Sequence, residues 1–438
     1  MAMTNAGSST QIAAMPGSGT GNNYRSAFAM VTTLFFVWGF LTSLNDILIP
    51  HLKSIFDLNY AQAMLVQFAF FSSYAAFGFP SGKIVEWIGY QRTMVLGLLT
   101  MGVGAALFIP AANMPSFPLF LAALIVLAAG ITALQVAANP YVTVLGPPET
   151  GSSRLNLTQA FNSLGTTIGP PLGGWLILRG AEKTVENTDK MTPLMLHAYR
   201  IQQAATVKFP YLAIALALVL LALAIWFYKF PRLDATQDYR PSKAGEKGHG
   251  IWRYPHVVLG AVAIFVYCGA EVSIGSFLIN YFNQPNIAGL AVLAAASLVP
   301  FYWGGAMVGR FVGSAVLQKV KTGSLLALCA VVAMVLVLIS MLSVGHVAVW
   351  SILLVGLFNS IMFPSIFTLG IAEMGPLTGE ASGLLVTAIV GAAIIPELQG
   401  VLADHIGIHH AFIVPVFCYL YIIYYGLRGS RVIQPAAA

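Results

Sequence analysis

Long apolar runs separated by short polar, Gly- or Pro-containing stretches dominate the chain. About 20 apolar residues suffice for a helix to cross a hydrocarbon core of roughly 30 Å. Twelve runs of that kind occur, near residues 26–50, 61–82, 93–111, 117–145, 155–178, 210–230, 256–282, 289–317, 323–343, 347–372, 381–402 and 410–427. Two polar intervals are longer than the rest, 179–209 and 231–253, and the second divides the runs six and six. The pattern predicts an all-α membrane protein of twelve transmembrane helices in two six-helix bundles. The expected layout is a disordered tail over 1–24, bundles over 25–230 and 255–430, a linker over 231–254 and a short tail over 431–438.

Composition excludes a soluble globular domain, since 58% of the 438 residues are hydrophobic and only 8% charged. Net charge is +6, and its distribution says more than its size. With the helices drawn as above, 15 of the 21 Lys and Arg residues fall on the side that holds both termini, and Lys53, Arg179, Lys183, Lys190, Arg200 and Lys208 fall on the other. The positive-inside rule makes the first side cytoplasmic. With no signal peptide in the Gly/Ser/Thr-rich start, the expected location is an inner membrane, with both termini in the cytoplasm. A basic balance without a soluble basic domain does not point to nucleic acid. The expected partners are membrane lipid and a small solute, with the chain acting as a monomer. Cys268, Cys329 and Cys418 lie in apolar runs and read as packing residues.

Three acids lie inside apolar runs: Asp46, Glu271 and Glu397. A charge at membrane depth costs at least about 2.5 kcal/mol, so it faces a partner, a cavity or a transported ion. Asp46 stands four residues before Pro50, whose missing N–H frees the carbonyl of residue 46. That suits reversible proton or cation binding, and also a cap near the outer interface. Glu271 stands about 15 residues into its run, more than 20 Å along a helix and near the midplane. Glu397, after Pro396, reads equally as a cavity-facing group or an interface acid. His405, His409 and His410 read as solvated loop residues rather than metal ligands. No phosphate loop and no nucleophile–base pair is present, so the chain is expected to be neither an enzyme nor ATP-driven.

The turn after the second run reads Gly82-Lys-Ile-Val-Glu86-Trp-Ile-Gly89-Tyr-Gln-Arg92. It is similar to the G-x-x-x-[D/E]-x-x-G-x-x-[R/K] signature of the major facilitator superfamily. Its glycines permit a tight turn and close helix approach, and Glu86 is expected to pair with a cation across the bundle interface. Leu44 to Pro50, Gln135 to Gly146 and Gln159 to Gly165 resemble the fucose:proton symporter family. Ala270 to Phe277, Tyr302 to Arg310 and Phe358 to Pro364 look like the glucose/galactose transporter branch of that family. The likeness covers roughly 26–430. It departs at two points: in the fucose symporter motifs a glutamate stands where this chain has Gln135, and a glutamine where it has Glu271.

The resemblance implies the major facilitator fold and a secondary transporter that imports a neutral hexose, glucose or galactose, by cation symport. Sodium and proton both remain open as coupling ion, and no other cofactor is implied. Asp46 and Glu271 are the cation-coupling candidates. Sugar hydroxyls need paired donors and acceptors and the ring's C–H face stacks on aromatic rings. Gln135, Asn139, Gln159 and Asn162, at spacings that put each pair on one helix face, are therefore the substrate-binding candidates, with Trp38, Trp303 and Asn359. Gly82, Glu86, Gly89, Arg92 and Arg310 are the gating candidates. The rival readings are a fucose or N-acetylglucosamine symporter of the same fold, a non-transporting sugar sensor and a drug:proton antiporter.

Overall fold

The computed structural model describes residues 21–56, 58, 60–173, 192–231 and 250–433, and the backbone path only for residues 21–23, 45–51, 53–54, 60–61, 63–64, 173, 193, 195–197 and 199. Most of the expected 231–254 linker, the N-terminal tail, the last five residues and the first part of the 179–209 loop lie outside the described residues. Every backbone N–H and C=O buried in lipid must be paired within its own segment, which leaves helices as the solution for apolar runs of this length. Twelve membrane-crossing units follow: α1 (Gly21–Phe56), α2 (Tyr60–Ile88), α3 (Tyr90–Asn113), α4 (Phe117–Val144), α5 (Gly151–Gly173), α6 (Arg200–Phe227), α7 (Pro255–Asn283), α8 (Val292–Val316), α9 (Thr322–Leu342), α10 (Gly345–Gly370), α11 (Gly375–Ile406) and α12 (Ile408–Gly429).

Ten of these are apolar enough to cross a membrane on composition alone among the described residues; α2 and α5 are not. For α5 the reason is its polar content, Asn156, Gln159, Asn162 and Ser163. Both helices lie at the seam between the halves, where protein rather than lipid meets such side chains. α1 continues through Pro50 to Phe56, so Asp46 lies farther from the helix end than its distance from Pro50 suggests.

Tight packing fixes the first half. A Cβ on Gly39 would overlap the carbonyl of Asn162, and one on Gly165 the carbonyl of Phe36, so α1 and α5 run backbone to backbone. Breaks matter as much as helices. α10 consists of Gly345–Asn359 and Met362–Gly370, with a turn at 360–361. α11 passes through a 3₁₀ turn at Ala388–Val390. Such interruptions free backbone carbonyls at membrane depth and are tolerated only inside protein or beside a cavity.

The halves meet chiefly at the end that carries Lys83, Arg92, Arg154, Lys319 and Lys321, called here the basic end. Ser152 Oγ and Thr368 Oγ1 are 2.6 Å apart. Ser153 donates to the Ser314 carbonyl at 2.6 Å, and Ser382 to the Val136 carbonyl at 2.8 Å. Lys83 pairs with Glu380 across the seam. At the opposite end α7 and α11 part to leave a groove of about 520 Å³ lined by Phe277, Asn280, Gln284, Glu397 and Asp404, among others.

Candidate functional site

The centre of the molecule is built on α7. Glu271 stands sixteen residues after the helix start at Pro255, about 24 Å along it. Its side chain is only 14% exposed. Three groups address it. The Tyr267 hydroxyl, one turn earlier on the same face, donates to Glu271 Oε1 at 2.8 Å. The Tyr302 hydroxyl donates to its backbone carbonyl at 3.2 Å. Arg310 Nη2 of α8 lies 3.9 Å from Oε1, an ion pair with both partners almost fully enclosed. At about 4 Å and an effective dielectric near 20 such a pair is worth about 4 kcal/mol of attraction, set against the cost of desolvating both charges.

The break in α10 completes this half. Asn359 is fully buried at the end of its first segment, donating to the Tyr302 hydroxyl at 3.0 Å and accepting from Tyr419 at 2.8 Å. Its carbonyl lies 3.1 Å from the Tyr267 hydroxyl. Pro364 has no N–H to give to the carbonyl of Ser360 four residues back. That freed carbonyl takes Arg310 Nε at 3.4 Å. Glu271, Tyr267, Tyr302, Asn359, Tyr419 and Arg310 thus form one hydrogen-bonded network, of which Glu271, Asn359 and Arg310 are expected from the sequence. The tyrosines are additions; Tyr267 is signalled only by lying four residues before Glu271.

On the facing half, Gln135 of α4 is buried and its amide donates to the Tyr74 hydroxyl of α2 at 2.7 Å. The Trp38 side chain of α1 also lies beside Tyr74. Cys268 of α7 is buried near Tyr74 on one side and near Glu271 and Arg310 on the other. Gln135 Oε1, both amide atoms of Asn139 and Gln159 Nε2 are buried without a hydrogen-bond partner among the described residues. Such orphaned polar atoms cost about 1–3 kcal/mol each and call for a ligand or water.

Other expected residues lie elsewhere. Asn162 donates to the Phe35 carbonyl of α1 at 2.9 Å, which ties α1 to α5. Trp303 is 42% exposed, its ring over Gly275 and edge-on to Tyr302. Glu397 is exposed in the α7–α11 groove and not in the central network. The Asp46 side chain lies outside the described residues.

At the basic end the turn motif works differently from expectation. Glu86 forms a pair within its own helix, with Lys83 at 3.4 Å, and the bridge across the halves runs from Lys83 to Glu380, an acid that the sequence reading passes over. A Cβ on Gly82 would come within 2.6 Å of the Gly379 carbonyl, so glycine is required for the close approach. Gly89 has φ 83°, the left-handed turn between α2 and α3 that glycine adopts without strain. Arg92 is exposed one turn later. The histidine cluster is less free than a solvated loop: His409 Nε2 lies 3.0 Å from the Ser340 carbonyl and its ring packs edge-on against Tyr281.

Residues 27–396 match the Major Facilitator Superfamily. The chain belongs to it. It is 52% identical to the glucose/galactose transporter of Brucella abortus over 409 residues, 93% of this chain and 95% of that one. It is 36% identical to the L-fucose-proton symporter of Escherichia coli over 94% of this chain and 95% of the relative. The crystal structure of FucP, a Major Facilitator Superfamily transporter in the outward conformation, superposes with a TM-score of 0.85 at 35% identity, covering 93% of this chain and all of that one. The chain therefore stands with the fucose:proton symporter family and its glucose/galactose transporters, and these relatives are transporters, not enzymes.

Proposed function

We propose that this protein imports a neutral hexose, glucose or galactose, by cation symport, with substrate held between the Gln135–Tyr74–Trp38 cluster and the Glu271 network. The basic end, where the halves are joined, is taken to face the cytoplasm. The observation that carries the reading is an enclosed carboxylate on α7 whose guanidinium partner reaches Gln159 of the other half, together with buried amide atoms on Gln135, Asn139 and Gln159 that have no partner among the described residues. Amides match sugar hydroxyls, which need a donor and an acceptor at each oxygen. A carboxylate at membrane depth matches the cation. One charge moved through 100 mV releases about 2.3 kcal/mol, enough for roughly fifty-fold accumulation.

Purified protein in proteoliposomes tests this. Radiolabelled glucose and galactose uptake is measured under separately imposed proton, sodium and null gradients, with fucose and N-acetylglucosamine as competitors. Concentrative hexose uptake under one cation gradient is expected. Uptake of fucose alone would transfer the cargo to the rival reading, and binding without flux under every gradient would favour a sensor.

A further inference from the structure

We propose that Arg310 is the positioning residue that prevents the cation from crossing without sugar. The inference rests on the symport reading above. Its grounds are the partners of one side chain. Arg310 Nη1 hydrogen-bonds to Ser163 Oγ and lies 3.5 Å from the Gln159 carbonyl, both on α5 of the opposite half. Nη2 faces Glu271 at 3.9 Å and Nε the Ser360 carbonyl at 3.4 Å, both in its own half. The Arg310 carbonyl accepts from Asn156 of α5 at 2.7 Å. One guanidinium therefore joins the coupling acid to the seam between the halves.

A guanidinium keeps its charge under all physiological conditions and presents five donors in a rigid fork. Opening the basic end separates α5 from α8 and removes Ser163 and Gln159 from Arg310. Glu271 is then its remaining anionic partner among those seen. With Glu271 ionised, as in the empty carrier, the separation leaves a buried but neutral pair. With Glu271 occupied by a proton or sodium ion and no sugar present, the separation leaves a buried cation with neither counter-charge nor the α5 acceptors, and that is heavily penalised. Sugar bound between the halves supplies hydroxyl acceptors in place of the α5 oxygens. The empty and fully loaded carriers can thus reorient, and the carrier holding cation alone cannot.

The test compares Arg310→Gln, Arg310→Lys and Ser163→Ala with the parent in proteoliposomes, reading cation entry in the absence of sugar. In parallel, a cysteine introduced at Ser153, buried at the basic-end seam, is probed with a maleimide in a background lacking the native cysteines. Arg310→Gln is expected to raise sugar-free cation entry about tenfold or more, and Arg310→Lys, which restores the charge without the fork, to return it toward the parent level. Ser163→Ala, which removes one acceptor across the seam, is expected to raise maleimide labelling several-fold. A folded Arg310→Gln protein with no leak overturns the proposal. So does a leak in Arg310→Lys equal to that of Arg310→Gln, which would mark a purely structural role for the fork. If Arg310→Gln does not fold, unchanged labelling and leak in Ser163→Ala overturn it. Labelling and leak require no sugar, so their outcome is separable from a failure of the hexose assignment.

Discussion

Replacing Glu271 by Gln removes one charge and little else. The amide oxygen can still accept from Tyr267, which now donates at 2.8 Å, and the backbone carbonyl still accepts from Tyr302. What disappears is the counter-charge 3.9 Å from Arg310. Removing one partner of a buried pair costs about 3–5 kcal/mol, because the other charge stays buried and unpaired. Set against a total stability of about 5–15 kcal/mol, the variant should fold with a lowered melting temperature. The transport consequence is larger. Gln cannot hold a cation by charge, so the roughly fifty-fold accumulation proposed for the parent at 100 mV should be lost, and net uptake with it, because the sugar-free variant leaves Arg310 without its counter-charge and is hindered from reorienting. Sugar-for-sugar exchange, which moves no net charge, should persist. The assay is paired: concentrative uptake under the driving gradient, and counterflow with sugar on both sides. Accumulation near the parent level in a Glu271→Gln protein that exchanges normally would refute the reasoning and make Glu271 a hydrogen-bonding residue only.

Gln135→Ala removes the donor to Tyr74 and an unpartnered acceptor, so sugar affinity should fall about fivefold or more, equivalent to about 1 kcal/mol or more, by calorimetry on folded protein. Gly82→Ala places a methyl against the Gly379 carbonyl, an overpacking cost of about 1–3 kcal/mol that falls on the closed basic end. Maleimide labelling of a cysteine at Ser153 should therefore rise about fivefold or more. Ser273 and Gln399 are both fully buried with unpartnered side-chain atoms, and contacts between Gly269 and Ile395 and between Gly400 and Phe277 place them in the same layer of the α7–α11 interface. The paired replacement Ser273→Ala with Gln399→Leu removes orphaned polar atoms and should leave the melting temperature unchanged or raised, checked by differential scanning fluorimetry.

Helix number and the six-and-six division were legible because lipid imposes one solution on every long apolar run. α5 falls short of a pure hydropathy criterion because it carries Asn156 and Ser163, whose side chains bond to Arg310 of the other half, so its ambiguity is itself a sign of the seam. Glu271, Arg310 and Asn359 were legible because a charge or amide in an apolar run is costly and stands out. Tyr74, Tyr267 and Tyr419 were not, since a membrane tyrosine has many uses and only the tertiary arrangement brings these hydroxyls to Gln135, Glu271 and Asn359. Glu380 escaped notice because it sits close to a polar turn, where an acid needs no special partner. The break in α10 was hidden too: Pro364 announces a freed carbonyl at Ser360, but that Arg310 would take it depends on how α8 packs.

The acid-for-amide exchange between the halves has a physical counterpart in these surroundings. The partner seen for Gln135 is a neutral hydroxyl, Tyr74. A carboxylate at that position would gain one hydrogen bond and no counter-charge from it. At position 271 a carboxylate meets Tyr267 and Arg310 together, so its charge is both hydrogen-bonded and neutralised. Moving the acid from α4 to α7 therefore moves it to a place already furnished with a cation, and it ties the acid's occupancy to a residue whose other bonds cross the seam to α5. An acid facing neutral partners loses its charge when a cation binds, and the local field falls to zero. An acid paired with arginine leaves a net positive charge behind, which acts on whichever half must move next. On the proposed reading, the substitution that relocates the acid thus also gives its occupancy by a cation a mechanical consequence at the interface.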